Sequence, residues 1–145
     1  MLDQELHYLL MVGYNLGSRA ITSRIADTGL LPGQPKILEY LMEHDGCTQK
    51  EISEGCGLDK STIAILLPKL DKAGLIRRES CSTDRRFFHV YLTAEGKKMG
   101  AQVRQICASW DEEVWGNLPP SEREAFLDTL RALIRQMKEL SRSHT

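Results

Sequence analysis

The chain has 145 residues, 41% of them hydrophobic, and a formal net charge of −1 at pH 7. This length favours one domain, and the composition supports a hydrophobic core and excludes a polycation. No segment is long and apolar enough to predict a membrane span, because the apolar stretch at residues 6–12 is short and interrupted. We therefore expect a cytoplasmic protein without membrane association.

Two helices are predicted in the first third of the chain. The first carries apolar residues at helical spacing, namely Leu6, Leu9, Leu10, Leu16 and Ala20. Pro35, a residue suited to a first helical turn, opens a short second helix. Its apolar residues are Ile37, Leu38, Leu41 and Met42.

Residues 48–70 predict a helix-turn-helix. Thr48 and Glu51 have the spacing of a capping box, which begins the first helix. Gly57 suits a turn that needs a positive φ angle, and Asp59 can cap the second helix. One face of that second helix is predicted to be buried, and it consists of Ile63, Leu66, Leu67 and Leu70.

The opposite face of the second helix is left free to enter a DNA major groove. We predict DNA contacts from this face and from the start of the first helix, at Thr48, Gln49, Lys60, Ser61, Thr62, Ile65 and Lys69. Ile65 cannot hydrogen-bond a base edge, although it can contact a thymine methyl group. Pro68 removes an N–H inside the helix and predicts a kink or an early end.

A two-stranded wing is predicted directly after the helix-turn-helix. Residues 75–78 and 87–92 are rich in aliphatic and aromatic side chains, and residues 80–86 form a polar tip. Arg85 and Arg86 suit a narrow minor groove, whose negative potential is enhanced. Asp84 is expected to hold an arginine in place through a charge-assisted hydrogen bond. A solvated turn is the alternative interpretation of this tip.

Positive charge is concentrated in this predicted DNA-binding unit. Residues 48–86 carry eight basic and six acidic side chains, whereas residues 1–47 carry three basic and six acidic ones. Because the excess is modest, we expect affinity to depend on dimer avidity as well as on charge.

Two further helices are predicted in the last third of the chain. Thr93 caps the first, whose apolar stripe is Val103, Ile106, Cys107, Trp110 and Val114. Residues 117–120 break the helix, and Ser121 with Glu124 predicts a second capping box. The last helix carries the stripe Phe126, Leu127, Leu130, Leu133, Ile134, Met137 and Leu140. Such a stripe predicts packing against a partner subunit, with packing inside one chain as the alternative.

The four cysteines lack the spacing of a disulfide framework or a zinc ribbon, and no metal site or cofactor is predicted. Cys47 precedes a helix N-terminus, which would lower its pKa, and Cys81 lies near the wing tip. Both are candidates for a redox switch, whereas Cys56 and Cys107 are interpreted as inert. The chain has no phosphate loop and no nucleophile motif, so an enzyme is not predicted.

The order and spacing of these motifs resemble the multiple antibiotic resistance regulator (MarR) family. The segments that carry the likeness are GLLPGQPKILEYL, TQKEISEGCGLDKSTIAILLPKLDKAGLIRR and DRRFFHVYLTAEG. Asp84 and Arg86 match the Asp-x-Arg signature of the family's wing. The resemblance implies a mainly α fold with a small β-hairpin wing, and a homodimeric regulator, usually a repressor, of a roughly palindromic operator in double-stranded DNA.

By this resemblance, residues 1–145 form a single MarR-like domain. Residues 34–92 are the winged helix-turn-helix unit, and residues 1–26 and 93–145 are the dimerisation helices. The family's effector pocket lies between the dimer helices and the winged unit, which here implies a small-molecule site at Tyr14, Asn15, Arg19 and His44. An amphipathic surface is the alternative for Tyr14 and Arg19. A redox-sensing regulator and a winged-helix protein-interaction module are the alternative functions.

Overall fold

A computed structural model describes residues 1–81 and 84–143; at residues 81 and 84–87 the description covers the backbone. The helices are α1 (Leu6–Ile25), α2 (Gln34–Glu43), α3 (Gln49–Cys56), α4 (Lys60–Lys72), α5 (Ala94–Trp115) and α6 (Pro120–Ser143). The strands are β1 (Cys47–Thr48), β2 (Ile76–Cys81) and β3 (Asp84–Leu92). The chain forms two compact units, Met1–Trp110 and Asp111–Thr145.

Both caps predicted for the helix-turn-helix are confirmed. The Thr48 hydroxyl accepts a hydrogen bond from the Glu51 backbone N–H, and the Thr48 backbone N–H donates to the Glu51 carboxylate. Gly57 ends α3 at a φ of 65°, in the left-handed region that a side chain would disfavour. Asp59 then caps α4 by accepting from the Thr62 backbone N–H at 2.7 Å. These local bonds determine where the two helices begin and where the chain turns.

Pro68 does not end α4, so the prediction of an early end is wrong. The helix continues to Lys72. Proline loses the backbone hydrogen bond to Ala64, but the buried row of Ile63, Leu67 and Leu70 packs into the core on the other side of the helix. We attribute the helix's continuation to this burial, because each of these side chains is at most 1% exposed.

The sheet has three strands in the order β1–β3–β2, all antiparallel, so the prediction of a two-stranded wing was incomplete. β1 is the two-residue addition, with Cys47 opposite Val90 and Thr48 opposite His89. It was missed because two residues carry no alternating pattern. The wing strands also reach further than predicted, since they pair as far as Cys81 and Asp84. This short strand joins the start of α3 directly to the wing.

One hydrophobic core joins α2, α3, α4 and the sheet. Its fully buried members include Ile37, Leu38, Leu41, Ile52, Ile63, Leu67, Leu70, Ile76 and Val90. The stripe predicted for the second helix of the helix-turn-helix is therefore confirmed as a core face. A common core makes the helix-turn-helix and the base of the wing one packed body.

α5 begins as predicted, because the Thr93 hydroxyl accepts a hydrogen bond from the Gly96 backbone N–H at 3.0 Å. The second capping box is wrong. α6 starts at Pro120, and the Pro119 carbonyl accepts from the backbone N–H groups of Glu122 and Arg123. Ser121 thus already lies inside the first turn of the helix, where it cannot serve as the N-cap.

The unit Asp111–Thr145 contains the end of α5 and the whole of α6. Trp115 meets Phe126 edge to face, with ring centroids 6.0 Å apart. The Arg123 guanidinium donates to the carbonyls of Leu118 and Gly116, which braces the turn between the helices. No helix in residues 1–81 and 84–143 combines the length and apolar character needed to cross a bilayer.

Candidate DNA-binding interface

The outward face of α4 is accessible along its whole length. Lys60, Ser61, Ile65 and Lys69 are exposed and Thr62 is half-buried, so the predicted contact residues on this helix lie on one open surface. The opposite face is the buried row of the core. One face of α4 thus packs in the core while the other is open to a partner, which is the arrangement of a recognition helix.

The lysines of α4 form no ion pair among the described residues. Within the described part of the chain, no acidic side chain lies at ion-pair distance from Lys60, Lys69 or Lys72. Of the two acidic groups in or beside α4, Asp71 pairs with Arg78 and Asp59 caps the helix. Hydrogen bonds from Thr62 and then Ser61 hold the pKa of the Asp59 carboxyl below its usual range. Three ammonium groups are therefore free to contact phosphate.

Thr48 and Gln49 lie at the start of α3 and are half-buried. The Thr48 hydroxyl also donates to Glu51 Oε1 at 3.1 Å, in addition to accepting the cap bond. Its one hydroxyl donor is thus already engaged within the chain. A DNA contact from either residue stays a prediction.

Two arginines of the wing, which the sequence analysis did not select, are held by aromatic rings and carboxylates. Arg77 lies over the Tyr91 ring at 4.7 Å from its centroid and pairs with Glu79 at 3.1 Å. Arg78 Nε lies 3.1 Å from Asp71 Oδ2, which ties β2 to the end of α4. The feature of the sequence that could have identified them is the Arg77-Arg78 pair in one wing strand, with the aromatic residues Phe88 and Tyr91 in the other.

The Asp-Arg-Arg segment of the wing belongs to β3 by its backbone. The side chains of Asp84, Arg85 and Arg86 lie outside the described residues, as does that of Cys81. Their predicted roles in the minor groove, and the redox role of Cys81, therefore stay predictions. The backbone places the segment on the strand that leads back toward the core.

Hydrogen bonds fasten the base of the wing to the entrance of α3. His89 Nδ1 lies 2.8 Å from the Gly46 carbonyl oxygen, and the Leu92 backbone N–H donates to Asp45 Oδ1 at 2.8 Å. Both contacts join β3 to the turn just before β1. They hold the wing and the helix-turn-helix in one geometry.

A cavity of about 340 Å³ opens among α2, α3 and α5. Its lining is Lys36, Glu39, Tyr40, Glu43, Gly55, Cys56 and Arg104. Glu43 and Arg104 form an ion pair of 3.2 Å at its edge, and the lining includes both charged groups and an aromatic ring. An amphipathic small molecule suits such a lining.

None of the four residues predicted for an effector pocket lines this cavity. Tyr14 contacts a lining residue of the cavity, because Lys36 Nζ donates a hydrogen bond to the Tyr14 hydroxyl at 3.3 Å. This bond lowers the pKa of Tyr14. His44 stacks on Tyr40 with centroids 4.4 Å apart. Asn15 and Arg19 are exposed on α1. The sequence analysis did not select the cavity residues Lys36, Tyr40 and Arg104, because they come together only when α2 and α5 pack.

The prediction that the helix N-terminus lowers the pKa of Cys47, on which its redox role depended, is contradicted. Cys47 is buried in β1, and burial, followed by the nearby Glu51 carboxylate, raises the pKa of its thiol to about 11. The loss of hydration thus outweighs the partial positive charge of the helix N-terminus. Cys56, interpreted as inert, also has a raised pKa because it is partly buried.

Taken together, the fold and this surface define a winged helix-turn-helix protein of the DNA-binding transcription-regulator class. Residues 28–86 match the sequence model of the MarR family. The transcriptional regulator HosA of Escherichia coli is 34% identical over 101 residues, which make up 70% of this chain and 75% of HosA. The chain belongs to the MarR family of transcriptional regulators.

Solved structures share this fold. A MarR-family transcriptional regulator from Silicibacter pomeroyi superposes with a TM-score of 0.85 at 24% identity, covering 94% of this chain and 92% of that one. The repressor CouR bound to a 23-mer DNA duplex has a TM-score of 0.80 at 25% identity, covering 91% and 94%. CouR from Rhodococcus jostii RHA1 bound to p-coumaroyl-CoA has a TM-score of 0.82 at 21% identity, covering 92% and 94%.

Proposed function

We propose that the chain is a homodimeric repressor that binds a pseudo-palindromic operator and is released by a small-molecule effector. The proposal is carried by α4, which has one face in the core and, at the ends of the other, three lysines that pair with no acidic side chain among the described residues. A dimer sets two such helices about one turn of DNA apart, so that they enter successive major grooves on one side of the duplex. Repression follows when the operator overlaps a promoter.

Exposed apolar side chains support the dimer. On α6, Phe126 is 54% exposed and Leu140 is 52% exposed, and Leu127, Ile134 and Met137 are exposed on the same stripe. α1 likewise exposes Leu6, Leu9 and Leu16. Soluble monomers rarely leave such contiguous apolar stripes in water. A second copy of the chain, which carries the same stripes, would cover them by a twofold contact.

The cavity among α2, α3 and α5 is the site we propose for the effector. It lies where a helix outside the winged unit, α5, meets two helices of that unit, α2 and α3. A ligand that pushed α5 away from α2 would break the Glu43–Arg104 ion pair and change the distance between the two reading helices. CouR, which binds p-coumaroyl-CoA, sets the precedent for a small-molecule ligand in this fold.

Fluorescence anisotropy with a duplex from the promoter region next to the chain's own gene tests DNA binding. We expect tight binding by a dimer that weakens steeply as salt rises from 50 to about 200 mM. Arg86→Ala is expected to lower the affinity while light scattering still reports a dimer. Binding that ignores salt would count against the DNA proposal, because phosphate contacts release counterions.

Titration of candidate ligands into the protein–operator complex tests the effector. Suitable probes are p-coumaroyl-CoA and free aromatic acids, each with wild type and with Arg104→Ala. An effector is expected to raise the operator Kd of wild type and to act more weakly on the variant. If peroxide, and no ligand, released the operator, the redox-sensing alternative would replace this part of the proposal.

A further inference from the structure

The centre of the outward face of α4 is apolar, which is unusual for a surface that reads polar base edges. Ala64, Ile65 and Pro68 occupy it, and all three are exposed. Ile65 is 59% exposed although it is a large aliphatic side chain. Residues three and four positions apart share a helix face, so these side chains adjoin one another.

The polar neighbours of this centre are already engaged. The Ser61 hydroxyl donates to Asp59 Oδ1 at 2.8 Å, and the Thr62 backbone N–H donates to the same oxygen. Pro68 has no backbone N–H. Among the described residues, the three at the middle of the face, Ala64, Ile65 and Pro68, therefore have no side-chain hydrogen-bond donor for the acceptors of a guanine or an adenine.

Charge surrounds the apolar centre. Lys60 lies in the first turn of α4, and Lys69 and Lys72 lie in the last. Ammonium groups at both ends of the helix match the phosphates that border a major groove on either side, which leaves the apolar centre over the base edges. This complementarity selects DNA as the partner of the face.

On these grounds we infer that Ile65 is a specificity-determining residue that reads the C5-methyl group of thymine. The inference rests on the proposed binding of α4 in a major groove. Among the four bases only thymine presents a methyl group there, and most other groups at the groove edges are hydrogen-bond donors or acceptors. Packing Ile65 against such a polar edge would strip its water without replacing the hydrogen bond. Each half-site therefore carries a thymine opposite Ile65.

Deoxyuridine provides the test, because it differs from thymidine only by the missing methyl group. A tightly bound duplex is first selected from random-sequence DNA with the full-length protein. Each thymine is then replaced singly by deoxyuridine, and Kd is measured for wild type, Ile65→Ala and the control Leu31→Ala. Leu31 is also an exposed aliphatic residue, 46% accessible, but lies before α2.

Wild type and Leu31→Ala are expected to lose about fourfold in affinity at one thymine of each half-site, the effect of one buried methyl group. Ile65→Ala should bind the thymine and deoxyuridine duplexes equally. If Ile65→Ala binds too weakly to measure, Ile65→Val should show a smaller deoxyuridine effect than wild type.

Two results would overturn the inference while leaving the proposed function intact. In one, no deoxyuridine substitution weakens the wild type; in the other, the Ile65 variants respond as strongly as the wild type does. Failure to select any duplex bound more tightly than random DNA would overturn both proposals together. Thermal unfolding of Ile65→Ala should match wild type, since the side chain is exposed.

Discussion

Single side chains on α4 and β2 differ in the part that we expect them to take in DNA binding. Lys60, Lys69 and Lys72 are unpaired among the described residues, whereas Arg77 and Arg78 are held by carboxylates and rings. An unpaired lysine carries a mobile point charge, whereas an arginine held by its neighbours keeps its planar guanidinium in one orientation. We therefore assign the lysines to phosphate contacts and the two arginines to the stiffness of the wing.

Lys69→Ala should weaken binding to all duplexes by a similar factor. Removing one phosphate contact per subunit lowers the slope of log K against log salt by about 0.9 for each lysine, or about 2 for a dimer. Anisotropy over a salt series measures the slope. Lys138→Ala, which removes an exposed lysine from α6, is the matched control and should leave the slope unchanged. An unchanged slope for Lys69→Ala would remove this residue from the interface.

Cys47 should react slowly with iodoacetamide in the folded protein. Its pKa is raised from 9.0 to about 11, so at pH 8 its thiolate fraction is roughly 100-fold below that of an ordinary cysteine. Mass spectrometry of alkylated peptides from native and urea-unfolded protein measures the ratio. Rapid alkylation in the native state would restore the redox interpretation of Cys47.

The same shift makes stability depend on pH at the alkaline end. The folded pKa of Cys47 lies above its unfolded value, so its contribution is complete below pH 9 and is lost as pH rises toward 11. Cys47→Ala should lack this part of the decline when urea unfolding is compared at pH 8 and pH 10. A parallel decline in wild type and variant would assign the effect to other groups.

At the level of elements, the junction of α5 with β2 depends on a close approach. Gly96 lies in the first turn of α5, and a Cβ added there would collide with the backbone carbonyl of Leu75. A backbone carbonyl at the start of a strand cannot swing aside as a flexible side chain does. The absence of a side chain at Gly96 is what lets α5 leave the sheet at its observed position.

Gly96→Ala should lower the free energy of unfolding by roughly 1–3 kcal/mol, the range for overpacking. Gly13→Ala is the comparison variant, because a Cβ at that helical position meets nothing within 4 Å in its own chain, although Gly13 shares the α1 face of Leu9 and Leu16. The comparison variant should gain about 0.5–1 kcal/mol from the lower backbone entropy of alanine. Urea unfolding at one protein concentration compares them. Equal stabilities would refute the close approach.

At the level of the whole molecule, the apolar side of α6 is left largely exposed by the rest of the unit Asp111–Thr145. None of its residues is fully buried, although its stripe runs from Phe126 to Leu140. The opposite face carries Asp128, Arg135 and Glu139. A helix with this division gains free energy only when its apolar face is covered.

Met137→Glu should shift the protein toward monomers and weaken operator binding at least tenfold, because a monomer loses the avidity of two reading helices. A charge at a buried contact costs more than the packing it replaces. Sedimentation at micromolar concentration measures the first effect and anisotropy the second. Arg135→Ala, on the opposite face of α6, should change neither. A variant that stays dimeric would exclude this stripe from the interface.

The local features of this protein can be predicted from its amino-acid sequence alone. The Thr48–Glu51 box, the Asp59 cap, the turn at Gly57 and the buried stripe of α4 each depend on residues within a few positions of one another. Helical and strand periodicity, together with capping chemistry, therefore sufficed to predict the helix-turn-helix, whereas the family was inferred from the resemblance of its motifs.

Features that depend on packing between distant segments could not be predicted from the sequence and are visible in the folded chain. α4 continues through Pro68 because its far side is buried in the core, and β1 exists because β3 lies beside it. The Cys47 thiol is desolvated by neighbours that the helix-terminus argument ignored, and Lys36 meets Arg104 in one cavity only after α2 packs near α5. Burial and long-range pairing are properties of the assembled chain, so no local pattern encodes them.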